Sequence, residues 1–365
     1  MKVGAAIKRM FVKNYSSRLK TAEERRYTSV LPSSLAGINL PRVSVVIPTR
    51  NRRKVLDACV DSLIAQTIKP FEIIIVDDGH FLHNGLKQKI ESAGITCSIV
   101  SNEVISGISA SRNRGERRAL GEIVFFADDD IFFDKEYLEQ TLRIFVADKE
   151  KKIGGVDGFW VNKPRRGGVK ATIFHLFQPF GEEYDGLLLP NGYLAKVNWT
   201  NHPTRTNVFG GVAAFRKEVF EKEHYDEVNF PGYTKAEDSE FANRVAKEWQ
   251  LVFMPLSRFW HHPAEGGRPG SFKAGIQSAY RPIKLLSLTG PSQGRDFILT
   301  ERSLLGEVFF SLCGAVISKG RRKEFALSAL GQAFGIATPF LAVPQNDPVS
   351  HLFALWLSRG EDSEK

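Results

Sequence analysis

Four short apolar runs in the N-terminal part of the chain constrain its fold more than any other feature. They cover residues 43–47, 71–76, 96–100 and 123–126, and each contains β-branched or aromatic residues. The segments between them carry apolar residues at helical spacing, most clearly over 52–67. Strands that alternate with helices at this distance predict βαβ units and a Rossmann-like, mostly parallel sheet, so the predicted fold class is α/β.

Polar side chains follow three of these predicted strands at the point where each strand ends. They are Thr49, Arg50 and Asn51 after the first strand, Asp77 and Asp78 after the second, and Asp128, Asp129 and Asp130 after the fourth. In open α/β sheets, ligands bind beyond the carboxyl ends of the strands. The three clusters therefore predict one shared site.

The three consecutive aspartates stand directly beside apolar residues on both sides. Like charges in such a place repel one another and resist desolvation unless a cation neutralises them. Alternate residues of an extended segment point the same way, so Asp128 and Asp130 are predicted to hold one divalent ion. Oxygen ligands favour Mg²⁺ or Mn²⁺. The alternatives are a solvated acidic turn, or Asp130 as the cap of a helix that starts near Asp134.

The chain lacks the glycine-rich loops that usually hold nucleotide phosphates. No Gly-x-Gly-x-x-Gly follows the first strand, and no phosphate-loop Gly-Lys-Ser/Thr is present, so dinucleotide and ATPase chemistry are not indicated. A nucleotide diphosphate would therefore need a bound metal to neutralise it. Arg112, near the start of a predicted helix over 109–120, is expected to meet a phosphate or a site carboxylate.

A second acidic feature, Glu237 and Asp238, opens a predicted helix over 237–249. Phe241, Val245 and Trp249, at steps of four, mark the face of this helix that points to the core. Carboxylates at a helix start are stabilised by the helix dipole, so capping is one interpretation. The other interpretation makes Asp238 a general base that points into the shared site.

A pair of glycines and a pair of histidines complete the candidate residues. Gly210 and Gly211 fall in a predicted strand over 208–215, where a glycine indicates either the close approach of a ligand or backbone, or a β-bulge. His261 and His262 follow a predicted strand over 251–254, and we interpret the pair as a candidate metal or diphosphate ligand. Residues 150–207 show no clear period of helices or strands. We expect part of the binding site for an acceptor substrate there.

Charge and cysteine content indicate the kind of partner and the cellular compartment. The formal net charge of +9 fits an anionic partner, but no sustained basic run indicates a nucleic-acid arm. The three cysteines are far apart and form no CxxC, so neither a disulfide framework nor a zinc site is expected. This pattern fits the reducing cytosol.

Changes in composition along the sequence divide the chain into three parts. Residues 1–40 form a basic leader, predicted to be flexible or to lie on the surface, and residues 41–265 form the predicted α/β domain that carries the shared site. Residues 266–365 contain a glycine-rich lid loop and helices. Two apolar segments there, 304–318 and 325–343, flank the basic stretch 319–324, and neither clearly has the length of a membrane span. They are expected either to pack on the α/β domain or to lie against an anionic bilayer.

Six motifs, taken in their order, resemble those of the family 2 glycosyltransferases, which have the GT-A fold. They are Val-Ser-Val-Val-Ile-Pro-Thr-Arg-Asn (43–51), Ile-Val-Asp-Asp-Gly (75–79), Ala-Ser-Arg-Asn-Arg-Gly (110–115), Gly-Glu-Ile-Val-Phe-Phe-Ala-Asp-Asp-Asp (121–130), Gly-Gly-Val-Ala-Ala-Phe-Arg (210–216) and Ala-Glu-Asp-Ser-Glu-Phe (236–241). The resemblance covers roughly two thirds of the chain. One departure is His80, where the family usually has a serine.

The resemblance implies an inverting transfer from a nucleotide-diphospho-sugar to an acceptor hydroxyl, with Mn²⁺ or Mg²⁺ as cofactor. It implies four groups of site residues. The donor would be bound by Pro48, Thr49, Arg50, Asn51, Asp77, Asp78, Arg112, Asn113, Asp128 and Asp129, the metal by Asp128, Asp130 and His261 or His262, and the acceptor by Gly210 and Gly211, with Asp238 as catalytic base and Glu237 as its companion acid.

The implied partners are the donor and a glycan or lipid-linked glycan acceptor, with no nucleic acid. The expected location is the cytoplasm, with or without peripheral contact with the inner face of the cell membrane. Two other functions would require different sequence features. A sugar-nucleotide pyrophosphorylase would carry a glycine-rich signature near the first strand, which is missing here. A non-catalytic glycan- or nucleotide-binding pseudoenzyme would have lost the base or the metal residues, and both are present.

Overall fold

The structure is a computed structural model. It describes residues 23–79, 85–102, 106–164, 177, 186–189, 192–195, 201–264, 270–289, 294–317 and 320–337. Several predictions fall outside the described residues. They concern the first 22 residues of the leader, His80, most of the 165–200 region, the lid loop at 265–269 and the chain beyond 337.

Nine strands of the described part form one mixed sheet. In sheet order they are β3 (Thr96–Ser101), β2 (Glu72–Asp77), β1 (Val43–Thr49), β4 (Ile123–Phe126), β10 (Ala213–Arg216), β6 (Ile153–Trp160), β11 (Gln250–His261) and β5 (Ile131–Phe133), with β9 (Thr204–Thr206) also paired to β11. A separate antiparallel ribbon joins β7 (Leu187–Leu188) and β8 (Leu194–Ala195). The first four strands are parallel, as predicted.

The other half of the sheet, which comprises β10, β6, β11, β5 and β9, departs from the mostly parallel arrangement that the sequence predicted. Strand β10 runs antiparallel to both β4 and β6, and β5 and β9 run antiparallel to β11. The predicted strand over 208–215 is also shorter, because it begins only at Ala213 and its two glycines lie in the preceding loop. Strand β11, in contrast, continues through His261, so the histidine pair stands at its end.

Eight α-helices are described. They are α1 (Arg53–Ile64), α2 (Leu86–Ser92), α3 (Ile108–Glu116), α4 (Tyr137–Ala147), α5 (Glu237–Val245), α6 (Ser271–Thr289), α7 (Gly294–Ile317) and α8 (Arg322–Ala337). Helix α3 packs very close to the sheet, because a Cβ on Gly115 would collide with Val46. Helices α3 and α5 end four residues earlier than their patterns predicted.

Two hydrophobic cores lie on opposite faces of the sheet, which makes a three-layer α/β/α architecture. Successive side chains of a strand point to opposite faces, so β2 places Ile73 and Ile75 in one core and Ile74 and Val76 in the other. The first core is covered by α1, α2 and α4, and the second by α5 and the segment around Phe220. Burial of both faces explains why these strands read as continuous apolar runs.

The topology brings distant segments to one edge of the sheet. Strands β1, β2 and β4 end there because they are parallel. Antiparallel β10 begins there, since Ala213 pairs with Phe126. Antiparallel β5 and β11 also meet there, since Ile131 pairs with His261. The loops after β1, β2 and β4 and before β10 therefore face the end of β11.

Helix α6 packs on the segment that precedes α5. Gln277 of α6 donates to the backbone oxygen of Tyr233 at 3.0 Å, and Lys284 donates to Asn229 at 2.7 Å. Helices α6 and α7 share a small apolar core with the β7–β8 ribbon. Among the described residues no helix combines the length and the apolar character of a membrane span.

Candidate active site

One cavity opens at the edge where these strand ends meet. It encloses about 950 Å³ including its open mouth. Its lining comes from segments spread over more than two hundred residues of the chain. The lining residues are Pro48, Thr49, Arg50, Arg52, Asp78, Gly107, Ile108, Ser111, Arg112, Asp128, Asp129, Asp130, Gly211, Gly232, Tyr233, Thr234, Glu237, Asp238 and His261. The three polar clusters predicted to share a site thus meet in one cavity.

The middle aspartate of the triplet is bound by the loop after β1. Oδ2 of Asp129 accepts a hydrogen bond from the Thr49 hydroxyl at 2.8 Å, and Oδ1 lies 3.3 Å from Nη1 of Arg52. Burial raises the pKa of Asp129 to about 6, against the opposing effects of Arg52 and Thr49. Asp129 is 4% exposed, which does not fit a solvated acidic turn. Its contacts position the triplet against the first strand.

The third aspartate is held by the end of β11. Oδ1 of Asp130 lies 3.1 Å from Nε2 of His261, and Oδ2 accepts from the backbone N–H of Ala264 at 3.2 Å. Burial acts to raise the pKa of Asp130, but the hydrogen bond and charge of His261 outweigh it, so the pKa lies below its ordinary value. Asp130 does not cap the following helix, which begins at Tyr137.

The structure distinguishes the two histidines. His261 lines the cavity, whereas the ring of His262 is exposed and packs edge-on against Phe132 with a centroid distance of 4.7 Å. This difference arises because neighbouring residues at the end of a strand point to opposite faces. Only the backbone of His262 contacts the triplet, where its N–H donates to the carbonyl of Asp130 at 3.0 Å.

Arg112 connects the two acidic features of the sequence. Its Nη2 lies 3.0 Å from Oδ1 of Asp128, and its Nη1 lies 2.9 Å from Oε1 of Glu237. The guanidinium also lies 5.1 Å from the centroid of the Tyr225 ring. Burial opposes the positive charge, but Tyr225, Asp128 and Glu237 outweigh it and raise the pKa of Arg112 above its ordinary value. Arg112 is therefore a permanent cation buried between two carboxylates.

The carboxylates at the start of α5 differ in exposure. Glu237 is buried, and burial together with the charge of Asp238 raises the pKa of Glu237 to about 7, although Arg112 opposes the shift. Asp238 is half-buried and lines the cavity, and its Oδ1 accepts from the Ser239 N–H at 2.7 Å. Asp238 thus presents a carboxylate to the cavity, while Glu237 is directed to Arg112.

Gly211 allows the backbone to pass directly over the Arg112–Asp128 pair. A Cβ on Gly211 would lie 2.6 Å from Nη2 of Arg112 and 2.7 Å from Oδ2 of Asp128. Gly210 does not line the cavity, and its N–H donates to Oδ2 of Asp157 at 3.1 Å. The sequence left open a close approach or a β-bulge, and the structure shows the close approach at Gly211, in the loop before β10.

Of the acidic pair after β2, Asp78 lines the cavity, whereas Asp77 lies outside the lining. Asp78 accepts from the Asn102 side chain at 2.6 Å and from the backbone N–H groups of Ser106 and Gly107 at 2.8 and 2.9 Å. Asp77 is fully buried, and its carboxylate accepts from the Gly79 N–H at 2.8 Å. Asp78 therefore holds the segment that leads into α3, while Asp77 stabilises the turn after β2.

Two other predicted donor-binding residues lie outside the cavity lining. The Asn113 side chain bonds both backbone groups of Tyr225, donating to its carbonyl and accepting from its N–H, each at 2.9 Å. Asn51 is exposed and has a left-handed backbone with a φ of 56°. Pro48, Thr49 and Arg50 do line the cavity.

Sequence reasoning missed several lining residues. Arg52 was not among the predicted site residues, because its link to the triplet depends on a contact across 77 residues. Gly107, Ile108, Ser111 and the 232–234 segment were not singled out. Gly107 has a φ of 89°, and a Cβ there would collide with the backbone of Gly232. In the sequence, the glycine directly before the helix that carries Arg112 was the one feature that indicated this wall of the cavity.

The chemistry of the lining residues fits a divalent cation that is shared with a substrate. Among the described residues no three His, Cys, Asp or Glu side chains form a metal-binding group. Asp128 and Asp130 line the same cavity, with Asp128 32% exposed. Mg²⁺ typically binds one or two carboxylates, substrate phosphates and water, without a complete protein cage. Two carboxylates beside His261 are compatible with that mode.

Comparisons with known proteins agree with this architecture. A family model described as glycosyl transferase family 2 matches residues 44–224. The uncharacterized glycosyltransferase EpsJ of Bacillus subtilis is 32% identical over 223 residues, which are 59% of each chain. The amylovoran biosynthesis glycosyltransferase AmsB of Erwinia amylovora is 34% identical over 104 residues, which are 28% of this chain and 35% of AmsB. The chain spans 15–59% of the length of the curated relatives it matches.

A solved structure resembles almost the whole chain. The mannosyltransferase PcManGT from Pyrobaculum calidifontis, in complex with GDP-Man and Mn²⁺, superposes with a TM-score of 0.52 and 16% identity. The superposition covers 98% of this chain and 95% of that one. At this identity the likeness concerns the fold. Through the region matched by the family model, the chain belongs to glycosyl transferase family 2, and it has the GT-A fold predicted from the resemblance.

Proposed function

We propose that this protein is an inverting, metal-dependent glycosyltransferase. It transfers a sugar from a nucleotide-diphospho-sugar to a hydroxyl group of a glycan or lipid-linked glycan acceptor. One observation carries the proposal: Asp128 and Asp130 line one cavity together with Asp238, which lies far away in the sequence, at the edge of a family 2 domain. The similarity to AmsB supports a role in polysaccharide biosynthesis.

In this proposal Asp238 is the catalytic base. Its carboxylate accepts the proton of the acceptor hydroxyl while the hydroxyl oxygen bonds to the anomeric carbon. The bond from that carbon to the donor diphosphate breaks in the same step, and attack from the opposite face inverts the configuration. The half-buried position of Asp238, with a hydrogen bond from the Ser239 N–H, favours a fixed carboxylate at the cavity wall.

Glu237 and Arg112 position the base rather than accept a proton from the acceptor. The Arg112–Glu237 ion pair fixes the first turn of α5, which carries Asp238. The second nitrogen of Arg112 binds Asp128, so one cation aligns the base with the aspartate triplet. We expect precise mutual placement to matter because small displacements of catalytic groups reduce rates strongly.

Asp128 and Asp130 would hold the cation, with His261 beside Asp130. When bound, a divalent cation neutralises the charge that develops on the leaving diphosphate. Asp129, Thr49 and Arg52 would hold the triplet against β1. Pro48, Arg50 and Asp78 face the cavity from the same side and are proposed to contact the nucleoside end of the donor. A cytoplasmic location with peripheral membrane contact also belongs to this proposal.

Donor binding and hydrolysis across UDP-, GDP- and dTDP-sugars, with and without Mn²⁺, test the proposal. Wild type would be compared with Asp130→Asn, Asp238→Asn and the control Asp57→Asn on α1, which does not line the cavity. We expect turnover of one donor only with metal, loss of metal-dependent binding in Asp130→Asn, and donor binding without transfer in Asp238→Asn. The control should behave as wild type.

Two outcomes would contradict the proposal. If no sugar nucleotide binds under any metal condition, a pseudoenzyme becomes the better account. If the protein instead joins a sugar phosphate to a nucleoside triphosphate and releases pyrophosphate, it is a pyrophosphorylase.

A further inference from the structure

The exposed face of α7 is entirely apolar where its side chains are described. Over residues 300–316 the exposed positions are Leu305, Phe309, Leu312 and Val316, with exposures of 58, 44, 52 and 74%. Their spacing of four, three and four residues places them on one face of the helix. We call this set the α7 stripe. The charged residues of the same stretch are only half-exposed.

Helix α8 shows the same property in its second half. Between 325 and 336 its exposed positions are Leu330, Ala333 and Phe334, with Leu330 61% and Phe334 46% exposed. We call this set the α8 stripe. Lys323, also exposed, precedes Leu330 by seven residues and therefore lies on the same face. The exposed face of α8 thus begins with a basic residue and continues with apolar residues.

The two stripes lie largely outside the surfaces by which these helices pack on one another, although the Phe334 ring lies 6.3 Å from the Phe272 ring of α6 and the Phe309 ring lies 6.0 Å from that of Phe177. Helix α8 packs on α6 through glycines, because a Cβ on Gly331 would collide with the backbone of Phe272 and one on Gly335 would lie 2.9 Å from Ala279. Helix α7 approaches α8 at Gly314, where a Cβ would lie 2.7 Å from the Phe325 ring. Apolar faces that remain exposed after such packing mark interaction surfaces.

The charge between the helices indicates what covers the stripes. The sequence from 319 to 324 holds four basic residues and one acidic residue, and it covers the junction between α7, which ends at Ile317, and α8, which begins at Arg322. Arg321 pairs with Glu324 at 2.7 Å, while Arg322 and Lys323 are exposed. The partner must therefore be apolar and, beside these basic residues, negatively charged. A bilayer with acidic headgroups has both properties along one surface.

We propose that the α7 and α8 stripes, with the basic residues Arg321, Arg322 and Lys323, dock this protein on an anionic lipid bilayer. The proposal rests on the proposed function in one respect, because it names the surface at which a lipid-linked acceptor would be met. Helix α6, against which α8 packs, donates through Gln277 to Tyr233 in the cavity wall at 3.0 Å. The docking surface and the cavity thus belong to one connected body.

Vesicle flotation of the full chain tests the docking surface without any sugar donor. Wild type would be mixed with vesicles of phosphatidylcholine alone or with added phosphatidylglycerol, at low and high salt. We expect flotation with the phosphatidylglycerol vesicles, weakened by salt because the headgroup attraction is screened. Soluble donor hydrolysis, measured in parallel, would report on the proposed function separately.

Two pairs of variants separate the apolar and basic contributions. Leu312→Ser/Val316→Ser should lower the vesicle partition coefficient by about tenfold or more, since each removes buried methylene groups. Arg322→Gln/Lys323→Gln should lower it by roughly tenfold or more on anionic vesicles only. Matched controls are Leu120→Ser, an exposed leucine near the opposite edge of the sheet, and Arg117→Gln/Arg118→Gln, an exposed basic pair. The controls should float as wild type does.

Three results would overturn the proposal. Wild type that does not float with anionic vesicles has no such surface. Stripe variants that float as well as wild type would assign the binding to another part of the chain. A wild-type dimer in light scattering that Leu312→Ser/Val316→Ser converts to a monomer would make the stripes an interface between two copies. Retained donor hydrolysis in any of these cases would leave the proposed function intact.

Discussion

Nη1 of Arg112 lies 2.9 Å from Oε1 of Glu237, although the two residues are 125 positions apart in the sequence. The same guanidinium binds Asp128 through its other terminal nitrogen at 3.0 Å. Arg112 and Glu237 are 1% and 6% exposed, so water contributes little to their solvation. The helix that carries the proposed base is thereby tied to the strand that carries the proposed metal ligands.

Replacing Arg112 by Gln should destabilise the protein strongly. The substitution leaves Glu237 buried without its cationic partner, and breaking a buried pair from one side costs about 3–5 kcal/mol. Urea denaturation measures the free energy of unfolding. The double variant Arg112→Gln/Glu237→Gln should recover part of the loss, and Arg117→Gln, at an exposed position, should change stability by less than about 0.5 kcal/mol. If Arg112→Gln proved as stable as Arg117→Gln, the stabilising role of the Arg112–Glu237 ion pair would be refuted.

Glu237 should make stability depend on pH. Its pKa of about 7 lies above the ordinary value of 4.5, because the buried carboxylate is harder to ionise in the folded state. The folded protein therefore binds this proton more tightly than the unfolded chain does. The resulting stability is fully present below pH 4.5 and is lost as the pH rises through about 7.

Glu237→Gln should remove this dependence. Between these two pH values the free energy of unfolding of wild type should fall relative to that of the variant by on the order of 3 kcal/mol. Chemical denaturation at a series of pH values measures the difference. Glu248→Gln, which alters a 55% exposed carboxylate, is the matched control and should follow wild type. Parallel curves for wild type and Glu237→Gln would show that Glu237 ionises normally.

A methyl group at Gly211 should disturb the site more than the fold. The added Cβ of Gly211→Ala would lie 2.6 Å from Arg112 and 2.7 Å from Asp128, so these side chains must shift. We expect a stability loss of about 1–3 kcal/mol, as for other overpacked positions. Metal-dependent nucleotide binding, measured by calorimetry, should weaken at least tenfold. Gly320→Ala, which adds a methyl group into open space, should leave binding unchanged. Equal binding by both variants would place the metal site away from Asp128.

The two histidines should differ in their effect on Mn²⁺ affinity. His261 bonds Asp130 at 3.1 Å and lines the cavity, whereas the His262 ring packs on Phe132 outside it. Loss of a residue that orients a metal ligand typically lowers affinity by about 10–100-fold, so we expect this effect for His261→Ala. His262→Ala should stay within about threefold of wild type. Manganese titration followed by electron paramagnetic resonance measures both. A larger loss for His262→Ala would reverse the assignment.

Local patterns in the sequence predicted the parallel half of the sheet and the strand ends at which the candidate residues lie. Apolar runs identify strands such as β2 and β4 because both faces of these strands are buried. The polar residues that follow them must then lie at the carboxyl edge of the sheet, where ligands bind. For the same reason Asp128 and Asp130 could be predicted as site residues, whereas Asp238 was predicted from its place at the start of a helix.

The tertiary structure decided which partner each of those side chains has. Asp129 contacts Thr49 across 80 residues, and His261 rather than its neighbour meets Asp130. Such contacts depend on strand order, on register and on the turn after β4, none of which is encoded in a local pattern. The same holds for the α7 stripe: its apolar residues are visible in the sequence, but only the packing of α8 and α6 determines which helix faces stay exposed. Local periodicity thus determined the elements and their ends, and contacts between distant segments decided the chemistry of the site and of the surface.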